Sequence, residues 1–301
     1  MAGREPPSPK APKAPREPAS PYDPSGIDDG KGGIPLWARR PALRATAWIA
    51  FVVVLVAIGV LAWRTMERKA LERVYREGVQ ALAEGRNDDA RAAFDRAIAQ
   101  RPEWAAAWRQ RGYAARKPAD AIGDFGRAIA IDPDDADAYA ARGRAWMQSG
   151  EPAKAAADFD RAIELAGRSG AAATSVAAWR ADRAAVRFGA GEIAAALDDL
   201  RAVAGTRGAP DDHRNLAAAL GSSGDWHGAR EEYDLAISAS PNPEWLGERA
   251  LVLIELGDDD GASADLQRCA QADPACAQGA AAQAARRAEE LGRPPPAGAR
   301  P

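Results

Sequence analysis

The sequence predicts an all-α chain in which one transmembrane helix precedes a stack of helical hairpins. Three observations carry this. There is a nineteen-residue run without a charge. A set of alanine, large apolar and small positions recurs about every 34 residues. Glycines and prolines punctuate that recurrence. Alanine, the best helix former and small enough for close helix contacts, dominates the composition together with arginine.

Residues 1–44 hold ten prolines, eight Lys/Arg and five Asp/Glu, a net charge of +3, whereas the remainder carries −6. Runs such as Pro6-Pro7-Ser8-Pro9 cannot form helix and offer little to bury. The expectation is a disordered, Pro-rich basic tail, partly polyproline II, acting as a solvated spacer. An acidic domain behind a basic tail argues against a nucleic-acid groove.

Ala45 to Trp63 reads ATAWIAFVVVLVAIGVLAW. At ~1.5 Å per residue it spans about 28 Å, close to the hydrocarbon thickness of a bilayer. Arg39, Arg40 and Arg44 flank one end, and Arg64, Arg68 and Lys69 the other. Trp48 and Trp63 sit near the two interfaces, where amphipathic rings prefer to lie. The run starts too late and lacks the small-x-small exit of a cleaved signal peptide, so residues 45–63 are expected to remain as an anchor. Basic residues are nearly balanced across it. A long C-terminal domain crosses a membrane largely regardless of charge, whereas a short basic tail does not, which favours the N-terminus inside. With an Ala/Arg-rich, Asn/Lys-poor composition, the expected location is a bacterial cytoplasmic membrane, with the rest of the chain outside.

From residue 64 to 292 the chain reads as helix punctuated by turns. The alanines Ala90, Ala121, Ala155, Ala196, Ala229 and Ala262 step by 31, 34, 41, 33 and 33. Four residues after each stands Phe94, Phe125, Phe159, Leu200, Tyr233 or Leu266, and three further on a small residue. Five residues before, glycine recurs at Gly85, Gly150, Gly191, Gly224 and Gly257, as a tight turn with left-handed backbone requires. Prolines close units at Pro102, Pro133, Pro241 and Pro274. A single hairpin cannot bury its apolar face alone, so the units must stack.

This pattern resembles the tetratricopeptide repeat over about 70% of the chain. The family's early aromatic and following small residue are matched by Trp108 with Gly112 and by Tyr139 with Gly143. About six repeats are expected, beginning near Leu71, Ala105, Ala136, Ala177, Pro210 and Pro243, with a C-terminal capping helix over about 275–291 and a disordered tail over 293–301. The second repeat is three residues short and has Lys117-Pro118 in place of the glycine turn. Gly167 to Ala173 reads as an insertion, and Trp179 stands one residue out of phase.

Comparing the copies exposes a covarying pair. Arg111, Arg142, Arg183 and Arg249 precede the small residue of the first helix. In the same four repeats Asp124, Asp158, Asp199 and Asp265 precede the large residue of the second. The first repeat has Glu77 with Ala93 and the fifth Leu216 with Glu232. Four ion pairs joining the two helices of a repeat, and fixing their register, are expected.

The resemblance implies a solenoid whose concave face, lined by the first helices, takes a protein or peptide ligand. Its candidate positions are Tyr75, Val79, Arg109, Tyr113, Arg144, Met147, Arg214, Leu251 and Ile254. A ladder of Arg109, Arg144 and Arg214 would grip carboxylates, and Tyr75, Tyr113 and Met147 would be apolar anchors. The Lys/Asn clamp by which some members take acidic C-terminal tails is not matched by Tyr75, Val79, Gln110, Asp137 and Ala141.

The sequence calls for no cofactor, metal, small-molecule substrate or catalysis. Gly26 to Lys31 only superficially resembles a phosphate loop, because the spacing is short and Gly32 replaces Ser/Thr. His213 follows Asp211-Asp212 at an expected helix start. Cys269 occupies a small core position, and a Cys269–Cys276 disulfide is the alternative to a buried thiol. The functional expectation is a membrane-tethered scaffold for assembling envelope proteins. The alternatives are a cytoplasm-facing adaptor and an accessory subunit of a membrane enzyme.

Overall fold

The computed structural model describes residues 41–299, without the side chains of residues 41–44 and 274–277. Of the tail expected over residues 1–44, residues 1–40 lie outside them, while residues 41–44 already belong to a helix. Among the described residues there are thirteen α-helices and no strand. The described residues divide into two units, with the boundary between Lys69 and Ala70.

The first helix, α1, runs Pro41–Ala83. It contains a segment long and apolar enough to cross a membrane, with a mean hydropathy of 2.6 over its most apolar window. Large apolar side chains from Trp48 to Trp63 are all exposed.

In the second unit the first helices of the hairpins are the end of α1, α3 (Ala105–Tyr113), α5 (Ala136–Gln148), α7 (Ala173–Gly189), α9 (Pro210–Ser223) and α11 (Pro243–Leu256). Their partners are α2 (Asn87–Gln100), α4 (Pro118–Ile131), α6 (Pro152–Ser169), α8 (Ile193–Arg207), α10 (Trp226–Ala239) and α12 (Asp259–Ala272). The capping helix α13 follows, Pro274–Glu290.

The recurring residues make the core. All six reference alanines are buried, and Phe94 and Phe159 have no accessible surface. A phenyl ring is accommodated because its neighbour on the first helix is glycine. A Cβ on Gly78 or Gly112 would come within 2.7 or 2.6 Å of the rings of Phe94 or Phe125. The turn glycines are needed for a different reason. Gly85, with φ +74°, and Gly224, with φ +86°, hold the left-handed conformation that side chains disfavour. Aspartate completes two later turns: Asp225 and Asp258 accept hydrogen bonds from the backbone N–H of Gly228 and Gly261, 3.0 and 2.9 Å away.

The irregular repeats are absorbed locally. In the second, α3 is only nine residues long, Lys117 is extended, and Pro118 starts α4, where its missing N–H costs nothing. The run Gly167 to Ala173 is not a loop insertion throughout. Helix α6 continues to Ser169 and ends at Gly170, with φ +68°, and α7 begins at Ala173, four residues before the expected start at Ala177. The out-of-phase Trp179 is buried against Ala162, Ala166 and Val186.

The C-terminal tail departs from expectation. Arg293 donates to the Ile254 carbonyl at 2.6 Å, and the Ala297 N–H to Ser263 Oγ at 3.0 Å. Ala297–Ala299 form a 3-10 turn with Ala299 buried. Through Ala299 this segment lies on the last repeat, because it satisfies a helix-end carbonyl and covers apolar surface beside Leu266.

Candidate partner-binding face

An α-helix turns ~100° per residue, so positions two before, two after and five after each recurring arginine point within about 40° of the direction opposite to it. The arginine faces the second helices, and the opposite positions are those expected to line the concave face.

On the arginine side, four guanidinium groups each grip a buried carboxylate. Arg142 Nε and Nη2 donate to Asp158 at 2.8 Å each, and Arg249 donates to Asp265 at 2.7 Å through both groups. Arg111 Nε lies 2.9 Å from Asp124 and Arg183 Nε 2.9 Å from Asp199, each with a second Nη2 bond. Three of the four reach further, to an acid on the second helix of the preceding repeat. Arg111 meets Asp95 at 2.7 Å, Arg183 meets Asp160 at 2.6 Å, and Arg249 meets Asp234 at 2.6 Å. One guanidinium thereby joins three helices and two repeats. The paired aspartates raise the pKa of Arg111, Arg142 and Arg249 despite the opposing cost of burial.

The fifth repeat uses another pair, which sequence reasoning missed. His213 Nδ1 lies 2.6 Å from Glu232. Glu232 holds the acid position, Leu216 replaces the arginine, and His213, one helical turn earlier, reaches the acid instead. The signal was present: an acid at a paired position whose arginine is missing.

The concave residues divide into three groups. Val79, Tyr113 and Met147 are exposed. Tyr75 is half-buried, stacked on Trp104 at 4.6 Å between ring centroids. Leu251, also half-buried, lines a cavity of about 480 Å³ with Trp226, Tyr233, Glu248 and Arg287. Ile254 is a correction: it has no accessible surface, because α13 brings Ala284 and Ala288 over it.

The arginine ladder is also corrected. Each rung is held by an acid on or capping the following first helix: Arg109 by Asp135 at 2.6 Å and Asp137 at 3.5 Å, Arg144 by Asp182 at 2.7 Å, and Arg214 by Glu248 at 2.8 Å. Sequence spacing shows the arginines on one face but not that neighbouring repeats supply their acids. Glu255 and Arg287 continue the scheme between α11 and α13.

Cys269 is fully buried. The side chain of Cys276, at which the expected pairing falls, lies outside those described. Among the described residues no group of three His, Cys, Asp or Glu is placed to hold a metal ion.

These features define a helical-repeat protein. Residues 75–117, 113–173 and 214–277 match the family model of the tetratricopeptide repeat, together more than half of the chain. The chain belongs to that family. Comparison with curated proteins finds no match. Among solved structures, that of PilF from Pseudomonas aeruginosa is similar over 72% of this chain and 98% of its own, with 16% identity and a TM-score of 0.59. PilW, described as a widely conserved type IV pilus biogenesis factor, is similar over 67% of this chain and 93% of its own, with 18% identity and a TM-score of 0.56. YrrB, described as having an unusual peptide-binding site, is similar over 60% and 93%, with 14% identity and a TM-score of 0.54. At these identities the likeness is one of fold.

Proposed function

We propose that this chain is a membrane-tethered scaffold that holds partner proteins on its repeats, outside the cytoplasmic membrane of a bacterium, in the assembly of envelope proteins. The observation that carries the tether is the exposure of the large apolar side chains from Trp48 to Trp63 on a helix that includes no charge between Ala45 and Trp63. Water disfavours so large an apolar surface, and the hydrocarbon core of a bilayer accommodates it. Tethering raises the local concentration of partners and so strengthens weak contacts.

The outward placement is supported by the eight basic residues of the N-terminal tail, a poor candidate for translocation. A Cys269–Cys276 disulfide belongs to the same proposal, because an oxidising envelope space maintains such bonds. The description of PilW as a pilus biogenesis factor is in keeping with an envelope role. One observation favours a second reading, a cytoplasm-facing adaptor: Arg64, Arg68, Lys69, Arg73 and Arg76 follow the apolar segment closely.

Protease added to intact spheroplasts tests both, with lysed cells as control. Cleavage of the repeats from outside is expected. Protection until lysis would reverse the orientation and leave the adaptor. Release of the whole chain from membranes by salt alone would remove the tether.

A further inference from the structure

The repeat unit exposes few large apolar side chains. Among its described residues there are six, and four of them, Val79, Tyr113, Met147 and Phe188, stand on the concave positions of four successive first helices. Each is between 37% and 42% exposed. They form one stripe, because Val79 and Tyr113 sit two residues after the arginine position, and Met147 and Phe188 five after it, about 60° apart on the helix. The face opposite carries most of the core, although Tyr113 also meets the buried Phe125 ring edge-on, at 5.2 Å between centroids. The stripe does not continue at Ile254, which α13 covers.

The charges beside the stripe select its occupant. Arg109 and Arg144, the concave arginines of these helices, are already held by Asp135, Asp137 and Asp182. An acidic ligand would have to displace those carboxylates. At the rim, a cavity of about 490 Å³ is lined by Asp132, Asp134, Asp135 and Asp137 with Arg109 and Trp179. Asp132, Asp134 and Asp137 are exposed, and among the described residues neither Asp132 nor Asp134 is in an ion pair. The free charge is negative and the free surface is apolar.

Resting on the scaffold reading above, we propose that the ligand of this face is a partner segment bearing apolar side chains and lysine or arginine. Its apolar side chains lie on Val79, Tyr113, Met147 and Phe188, and its cations meet Asp132 and Asp134. Apolar contact supplies most of the affinity, while the aspartates set orientation and reject acidic segments.

The test uses the full chain in detergent micelles and two synthetic peptide pools of about twelve residues. In extended form such a peptide spans about 40 Å, enough for four packed helices. Both pools carry the same randomised apolar positions, with lysine at the others in one pool and glutamate in the second. Fluorescence anisotropy is expected to show the lysine pool binding at least tenfold more tightly at low salt. The variant Asp132→Asn/Asp134→Asn, which keeps the side-chain shapes, is expected to lose that preference. Met147→Ser and Phe188→Ser, at exposed sites and checked for unchanged melting, are expected to weaken binding several-fold.

Equal binding of the pools, or tighter binding of the glutamate pool, overturns this assignment while leaving the scaffold reading intact. Binding of neither pool overturns it as well, and protease accessibility then judges the tether separately. Concentration-dependent dimers that Met147→Glu abolishes, without peptide binding, would assign the stripe to a second copy of the chain and overturn the assignment.

Discussion

Gly126 stands beside Arg142 at the position where a carboxylate serves the other three arginines. Asp95, Asp160 and Asp234 each follow the large residue of a second helix and meet an arginine of the next repeat. Gly126 follows Phe125 in the same way, and a Cβ there would lie 3.8 Å from Arg142 Nη1. Gly126→Asp is therefore expected to complete the inter-repeat link and remove a mid-helix glycine, stabilising the chain by about 0.5–1 kcal/mol. Urea denaturation measures it, and Gly126→Asn separates the charge from the helix effect. A destabilised Gly126→Asp variant would show that the link does not form.

The buried aspartates respond differently. Asp124 is 6% exposed, and its charge is compensated by Arg111. Arg111→Leu leaves that carboxylate unpaired and is expected to cost about 3 kcal/mol. Arg111→Leu/Asp124→Leu is expected to recover most of the loss, because apolar side chains replace a buried pair at little cost. A double variant no more stable than the single one would mean that packing around Arg111, not charge, is what is lost.

Gly112→Ala places a methyl group 2.6 Å from Phe125 Cε1. The ring is buried between two helices and cannot retreat without disturbing Ala121 and Ala145. Overpacking of this kind costs about 1–3 kcal/mol. A melting curve on Gly112→Ala measures it, and Gly112→Ala/Phe125→Leu is expected to regain part. An unaltered melting temperature would show the second repeat to be loosely packed.

Alkaline pH should weaken the fold through its buried phenols. Burial, followed by the nearby Glu248 charge, raises the pKa of Tyr233 above its ordinary value of 10.0, and burial does the same for the half-buried Tyr75. Above the unfolded pKa the folded chain binds more protons than the unfolded chain, so stability falls as pH rises. The contribution is complete below pH ~10 and is lost above it. Urea midpoints across this range are expected to drop for the native chain and to drop less for Tyr233→Phe. Identical slopes would sink the assignment to Tyr233.

The hairpin stack was legible because each repeat is a copy of the next. Ala90, Phe94 and Gly85 recur with their counterparts at nearly fixed spacing, and local backbone rules give each a single use. The pairing of Arg249 with Asp265 was legible for the same reason, since the repeats vary the two positions together. The charge-free segment from Ala45 to Trp63 needs only its length and composition to be noticed.

Contacts between repeats were another matter. Sequence alone placed Arg109, Arg144 and Arg214 on one face and left them free. Tertiary structure brought Asp135, Asp182 and Glu248 from the following helices to hold them. It also closed α13 over Ile254 and laid residues 293–299 on the last repeat. The reason is physical. Periodicity along a helix fixes which way a side chain points, a property of one segment. Whether that direction meets water, an acid or another helix depends on the rotation and offset between stacked hairpins, which no single repeat encodes.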